Sequence, residues 1–308
     1  LMETLYFIHP SCHLHEMGRW HPESPQRLDA INDQLLSSGL ASYLAQRQAR
    51  LATDEDILRV HDRAYLQKLK EQVPRQGYFN IDPDTLMNPH TLEAAYAAAG
   101  AGLDAVDGVM TEDATGAFCA VRPPGHHAER ARAMGFCFFN NIAVAAAYAM
   151  EKYDLKRVLI VDFDVHHGNG TEQIFAGDER VLMCSFFQSP FFPDSFQDPA
   201  AQNMVNIPVE AYTKSAQIID LFKQVCLPRI EAFAPEIVFF SAGFDAHRED
   251  EMGQLSLVEA DYAELTAMVV RACAPSAGHR LVSMLEGGYD PSSLGRSVVA
   301  HIKALAGL

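Results

Sequence analysis

Short apolar runs alternate with longer amphipathic stretches along most of this chain. The runs at 1–8, 117–121, 157–163, 181–185, 237–241 and 281–285 are rich in Val, Ile, Leu and Phe and read as strands. Between them, apolar positions of helical spacing predict helices over 91–110, 140–152, 171–175, 214–233, 257–272 and 293–305. A further helix opens at Ser24-Pro25, with Ser24 as its cap and Pro25 in its first turn. Residues 54–71 read as two short helices divided near His61 and Asp62. The Ala and Gly content of 91–110 predicts close packing against a neighbour. Segments 9–23 and 77–89 are irregular. The first is long for a plain connection, and its His13, His15, Trp20 and His21 favour a functional loop. This alternation predicts an α/β fold, a mainly parallel sheet with helices on both faces, in one domain spanning 1–308.

Composition limits what such a domain does. The chain is 48% hydrophobic and 21% charged, a globular balance, and it has no apolar run of membrane-spanning length. Its first residues lack the basic region and cleavage site of a signal peptide, so none is expected. A net charge of −16 argues against a nucleic-acid partner, which would need a basic footprint. It suits long-range attraction of a cationic substrate, although ordinary solubility in the cytoplasm is the simpler reading. Cys12, Cys119, Cys137, Cys184, Cys226 and Cys273 are scattered, and no two form a CxxC pair. They fit a reducing, cytoplasmic compartment with no disulfide framework.

The chemistry lies directly after the strands. Residue 121 is followed by Arg122-Pro123-Pro124-Gly125-His126-His127, and 161 by Asp162-Phe163-Asp164-Val165-His166-His167-Gly168-Asn169-Gly170. Residue 240 is followed by Ser241-Ala242-Gly243-Phe244-Asp245, and 285 by Glu286-Gly287-Gly288-Tyr289. In a parallel sheet these groups converge on one edge, where open α/β sheets bind ligands. Asp164 and His166, two apart on an extended strand end, share a side, and Asp245 adds a third donor. That O/N/O set suits a divalent metal with positions left for water and substrate. Each residue alone reads as a cap or a loop hydrogen bond; together they read as ligands. The tandem His126 and His127 suit base and acid work on a water activated by the metal. Asp162 and Asn169 are the partners available to fix their tautomers. Tyr289 can donate to a carbonyl oxygen that becomes an oxyanion, although Gly-Gly-Tyr alone is an ordinary turn.

These blocks, with Gly135-Phe136-Cys137-Phe138-Phe139-Asn140-Asn141 and the segment His21–Arg27, resemble the signature blocks of the histone deacetylase superfamily. Within it the chain looks like a class II-like bacterial histone-deacetylase-like amidohydrolase, related to acetylpolyamine amidohydrolases. The resemblance runs from His21 to Tyr289. It implies the three-layer arginase/deacetylase fold, with a mainly parallel central sheet of about eight strands. It implies zinc-dependent hydrolysis of an N-acyl amide, with acetyl- or short-acyl-lysine in proteins or peptides as the leading substrate and an acetylpolyamine or other small amide as the alternative. Carried over residue by residue, it assigns zinc to Asp164, His166 and Asp245. His127 becomes the general base and acid, and His126, paired with Asp162, its electrostatic partner. Asn169 becomes the partner of His127, and Tyr289 polarises the acetyl carbonyl. Phe136 and Phe192 match the aromatic pair around an acyl-lysine stem. Gly135 matches a backbone contact to the substrate amide, and Arg27 an arginine of the channel below the site. Structural potassium is implied at Asp162, Asp164, His166, Ser185 and Phe186, and at Phe175, Asp178, Val181 and Asn203.

Some positions mark the chain out. Asn169 stands where many relatives carry Asp, Phe187 where many carry His, and Met252 where polyamine-selective relatives carry glutamate. Asp82 and Asp84 are both open as a rim contact to substrate, with Asp84 preferred. A two-manganese ureohydrolase is disfavoured by Asn169, and a silent acyl-lysine reader by the intact ligands and Tyr289. A homo-oligomer is compatible with the sequence.

Overall fold

In a computed structural model, which describes residues 2–308, eight strands form one sheet and two more a small hairpin. The strands are β1 (Glu3–Ile8), β2 (Leu44–Gln48), β3 (Phe79–Asp82), β4 (Thr85–Met87), β5 (Ala114–Cys119), β6 (Val158–Asp162), β7 (Val181–Gln188), β8 (Met204–Val209), β9 (Ile237–Ala242) and β10 (Leu281–Leu285). The large sheet has the order β2-β1-β5-β10-β9-β6-β7-β8, and every neighbouring pair in it is parallel. Helices cover both faces, so β6, β7, β9 and β10 are buried at every position. Burial on both sides is why those strands read as unbroken apolar runs.

The edge strands carry no such signal. β2 is Leu-Ala-Gln-Arg-Gln, exposed over its last three residues, and pairs with β1. β8 carries Asn206 and Pro208 and pairs only with β7. Edge position tolerates Pro and polar side chains. Segment 77–89, expected to be irregular, holds the antiparallel β3–β4 hairpin instead.

The helix expected over 214–233 is two, Ser215–Val225 and Leu227–Phe233, meeting at Cys226. Pro228 has no N–H for the bond back to residue 224, and that breaks the helix. Ser24 does not cap its helix through its hydroxyl. The helix runs Gln26–Ser37 after Pro25, and Ser24 accepts from the Arg27 N–H through its carbonyl at 3.2 Å. The two short helices appear as Asp54–Leu58 and Arg63–Gln72, the first opened by a Thr53–Asp56 capping box. The small residues of helix Thr91–Thr111 do pack closely. A Cβ on Gly100 would lie 1.9 Å from the Arg50 carbonyl oxygen, and one on Gly102 2.9 Å from the Ala145 Cβ. All six cysteines are buried and free. Among the described residues no helix is long and apolar enough to cross a membrane.

Candidate active site

The chain leaves β5, passes over two strand positions to β6, and later returns to fill the gap with β9 and β10. The C-terminal ends of β5, β10, β9 and β6 therefore lie side by side, at the crevice where such sheets bind ligands. The loops after these four strands bring His126, His127, Asp162, Asp164, His166, Asp245 and Tyr289 to one place.

Asp164, His166 and Asp245 are all buried, and one donor atom from each lies within 4.8 Å of the others. The His166 Nδ1 is 3.2 Å from Asp164 Oδ1 and 3.1 Å from Asp245 Oδ2. The remaining carboxylate oxygens are held from outside the cluster. Gly287 N–H donates to Asp164 Oδ2 at 2.9 Å, and Val165 N–H to Asp245 Oδ1 at 2.9 Å. Two glycines make room: a Cβ on Gly243 would lie 1.9 Å from Asp164 Oδ2, and one on Gly287 2.3 Å from Asp245 Oδ2. Burial, and then the Asp164 charge, pushes the Asp245 carboxyl up to about 7. Two carboxylates and an imidazole nitrogen aimed at one buried point fit a divalent cation, because one proton satisfies only one of those contacts.

The tandem histidines separate electrically. His126 Nδ1 lies 2.8 Å from Asp162 Oδ2, and its Nε2 3.6 Å from Asp164 Oδ2. Burial opposes its charge, yet Asp162, Asp164 and Glu286 outweigh burial and hold the ring well above the ordinary value. Burial, with the charges of His126 and His166, holds His127 well below it. His127 Nδ1 sits 2.8 Å from Asn169 Oδ1, while the Asn169 amide donates to the His127 carbonyl and to Glu129. That orientation makes His127 Nδ1 the donor and leaves Nε2 its free lone pair.

A cavity of about 330 Å³ opens over this cluster, lined by His127, Gly135, Phe136, His166, Tyr289 and Met252, with Asp84 at its rim. Phe136 stands edge-on to Tyr289 at 5.9 Å, and Phe192 edge-on to His127 at 5.3 Å. Phe136 has φ 71°, a left-handed conformation that a bulky residue adopts at a cost of order 1–3 kcal/mol. Its N–H is fixed by the buried Thr85 hydroxyl at 3.1 Å. Asp82 turns out to be a turn residue, its Oδ1 accepting from the N–H groups of Asp84 and Thr85. That leaves Asp84 as the rim carboxylate.

Arg27 does not line the cavity. It lies buried behind Tyr289, its guanidinium 5.0 Å from the ring centre, donating to the Gly288 and Glu286 carbonyls at 2.6 Å each. It thereby pins the turn that presents Tyr289. Phe187 packs 4.6 Å from the buried His167. Of the second cation set, the Phe175, Asp178 and Val181 carbonyl oxygens converge to 2.8–3.0 Å from the Asn203 amide nitrogen. Of the first set, Asp162 and Ser185 are register partners across β6 and β7.

Three residues escaped the sequence. Phe191, not Phe192, lies flat on the His166 ring at 5.1 Å and 10°. Glu251, beside Met252, lines the cavity mouth. Glu286 accepts from the N–H groups of Gly125 and His126, holding the histidine turn against β10. Glu286 stood in a recognised block; nothing in the Phe191-Phe192 pair or in the loop after Asp245 signalled the other two.

The family description "Histone deacetylase domain" matches residues 21–305. This chain belongs to the histone deacetylase family. It is 35% identical to the histone deacetylase-like amidohydrolase of Pseudomonas aeruginosa, over 94% of this chain and 77% of that one. It is 37% identical to the human polyamine deacetylase HDAC10, over 92% of this chain but 44% of that one. The crystal structure of the HDA15 HD domain matches with a TM-score of 0.92 at 34% identity, covering all of this chain and 90% of that one. The family assigns amide deacetylation as the class of activity, and the fold agrees with the expected one.

Proposed function

We propose that the protein is a zinc-dependent deacetylase that hydrolyses the amide of an acetyl- or short-acyl-lysine in a peptide or protein. The observation that carries this reading is the Asp164–His166–Asp245 donor set at the floor of a cavity lined by aromatic side chains. Zinc held by these three residues supplies Lewis acidity toward the acyl carbonyl and toward an attacking water.

The remaining chemistry belongs to the chain. His127, kept neutral with Nδ1 tied to Asn169, takes a proton from water at Nε2. As the water oxygen bonds to the carbonyl carbon and the C–N bond breaks, His127 returns a proton to the leaving amine. His126, charged between Asp162 and Asp164, stays in place as a fixed cation beside it. The Tyr289 hydroxyl donates to the carbonyl oxygen while that oxygen carries negative charge. Phe136 and Phe192 flank the acyl-lysine stem, and Gly135 and Asp84 orient the substrate backbone. Potassium is proposed among Asp162, Asp164, His166, Ser185 and Phe186, and at the carbonyl cluster around Asn203; an ion there has to turn that amide aside.

A second reading, an acetylpolyamine substrate, is favoured by the Asp84 and Glu251 carboxylates at the mouth. Comparing kcat/KM for an acetyl-lysine peptide and an acetylpolyamine decides between them. For the metal, zinc per chain is measured by elemental analysis in the native protein and in Asp245→Ala. One zinc in the first and a marked loss in the second are expected; stoichiometric zinc in the variant contradicts the ligand assignment.

A further inference from the structure

The Tyr289 phenol sits at the end of a turn whose backbone rotates easily. Gly287 and Gly288 precede it, and Gly288 has φ 119°, a conformation that glycine adopts freely. The peptide plane joining Gly288 to Tyr289 sets where the tyrosine side chain points, so that plane has to be held. Its carbonyl accepts from Arg27 Nε at 2.6 Å. Its N–H donates to Asp250 Oδ2 at 2.7 Å. The plane is thus gripped at both ends. The Asp290 N–H points at the same oxygen at 3.3 Å, and the Met252 N–H donates to Asp250 Oδ1 at 2.9 Å. Asp250 is only 4% exposed, so losing this acceptor leaves buried N–H groups unpaired. One carboxylate therefore ties together two walls of the catalytic cavity, Met252 on the loop after β9 and Tyr289 on the loop after β10. Capping the helix Pro291–Ala306 does not account for Asp250. That helix has its own cap in Asp290, whose side chain accepts from the Ser293 N–H at 2.9 Å.

We propose that Asp250 is a positioning residue for the hydrolysis, holding the Tyr289 peptide plane so that the phenol hydroxyl meets the acyl carbonyl oxygen as that oxygen becomes negative. The proposal rests on the oxyanion role given to Tyr289 and deepens it. Asp250 does not line the cavity itself and acts through the residue it holds. Its amide isostere makes the point sharply. Asn at 250 has one accepting oxygen in place of two, so its NH2 group faces the N–H of either Tyr289 or Met252. The turn then shifts to relieve that clash, and a shift of about 1 Å in a catalytic group costs on the order of 10²-fold in rate.

A double-mutant cycle with Tyr289→Phe tests this in the zinc-loaded protein, using an acetyl-lysine peptide. Asp250→Asn alone is expected to lower kcat by about 10–10²-fold with little change in KM. Zinc content is expected to stay the same, and a thermal melt checks the fold. In the Tyr289→Phe background the same substitution is expected to cost less than about twofold, because the hydroxyl it positioned is already gone. A residue that only stabilised the fold would cost the same in both backgrounds. If Asp250→Asn fails to fold, Asp250→Ser, which keeps one accepting oxygen, takes its place in the cycle. Equal losses in the two backgrounds, or no loss in either, overturn the positioning role and leave the deacetylase reading standing. A Tyr289→Phe protein as active as the native one overturns the oxyanion role of Tyr289, and the proposal with it.

Discussion

Tyr289 reaches the cavity because Arg27 holds two carbonyls of its turn and packs against its ring. Removing the phenol hydroxyl should cost about 10²–10³ in kcat, the usual effect of losing one oxyanion donor. Steady-state kinetics of Tyr289→Phe on acetyl-lysine checks this; a loss below tenfold contradicts the role given to Tyr289. The convergence of Asp164, His166 and Asp245 and the two histidine–partner pairs were legible from the sequence because each block follows an apolar strand. The support that Arg27 gives to the Tyr289 turn was not legible. Its guanidinium is held by Glu23 and two backbone carbonyls, which no spacing rule reveals. Phe191 and Phe192 are indistinguishable in sequence, and only the loop's path lays the first on His166.

At the scale of elements, strands buried on both faces were readable, and the edge strands β2 and β8 and the β3–β4 hairpin were not. β2 is largely exposed and β8 is interrupted by Asn206 and Pro208, so their patterns resemble loop. The helix Thr91–Thr111 is the element most constrained by its neighbours. Gly100→Ala drives a Cβ into the Arg50 carbonyl at 1.9 Å, so the strand end and helix must separate. A destabilisation of about 1–3 kcal/mol is expected. Denaturant unfolding measures it; an unchanged midpoint shows that the contact yields freely. At the site, Gly243→Ala presses on Asp164 in the same way and should lower zinc affinity, read by competition with a chelating dye.

Across the whole molecule, buried polar groups set the response to acid. Burial, reinforced by the Arg122 charge, holds His15 down at about 3. Burial likewise lowers His61 to about 4 and His301 to about 3. These rings stay neutral when folded but take up protons near pH 6.5 when unfolded. The stability tied to these three rings is therefore full above pH 6.5 and falls as pH drops toward 3, each ring contributing up to about 1.4 kcal/mol per pH unit, while Asp245 and Glu286, both pushed up to about 7 by burial, work in the opposite direction. Glu23, held down at about 2 by Arg122 and Arg27 against the cost of burial, adds a loss only below about pH 4.5. Chemical denaturation between pH 7.5 and 4.5 should show a shallower acid loss in His301→Asn than in the native protein, and an equal slope contradicts it. The molecule's single parallel sheet was foreseeable from its alternating pattern, whereas the order of strands that brings β9 and β10 between β5 and β6 was not. That order joins the four loops into one site.

The most direct test follows turnover of a fluorogenic acetyl-lysine substrate while zinc is returned stepwise to chelator-stripped protein. Activity should be absent at the start, rise linearly, and level off at one zinc per chain. Full turnover in the stripped protein, or none at any zinc level, contradicts the account.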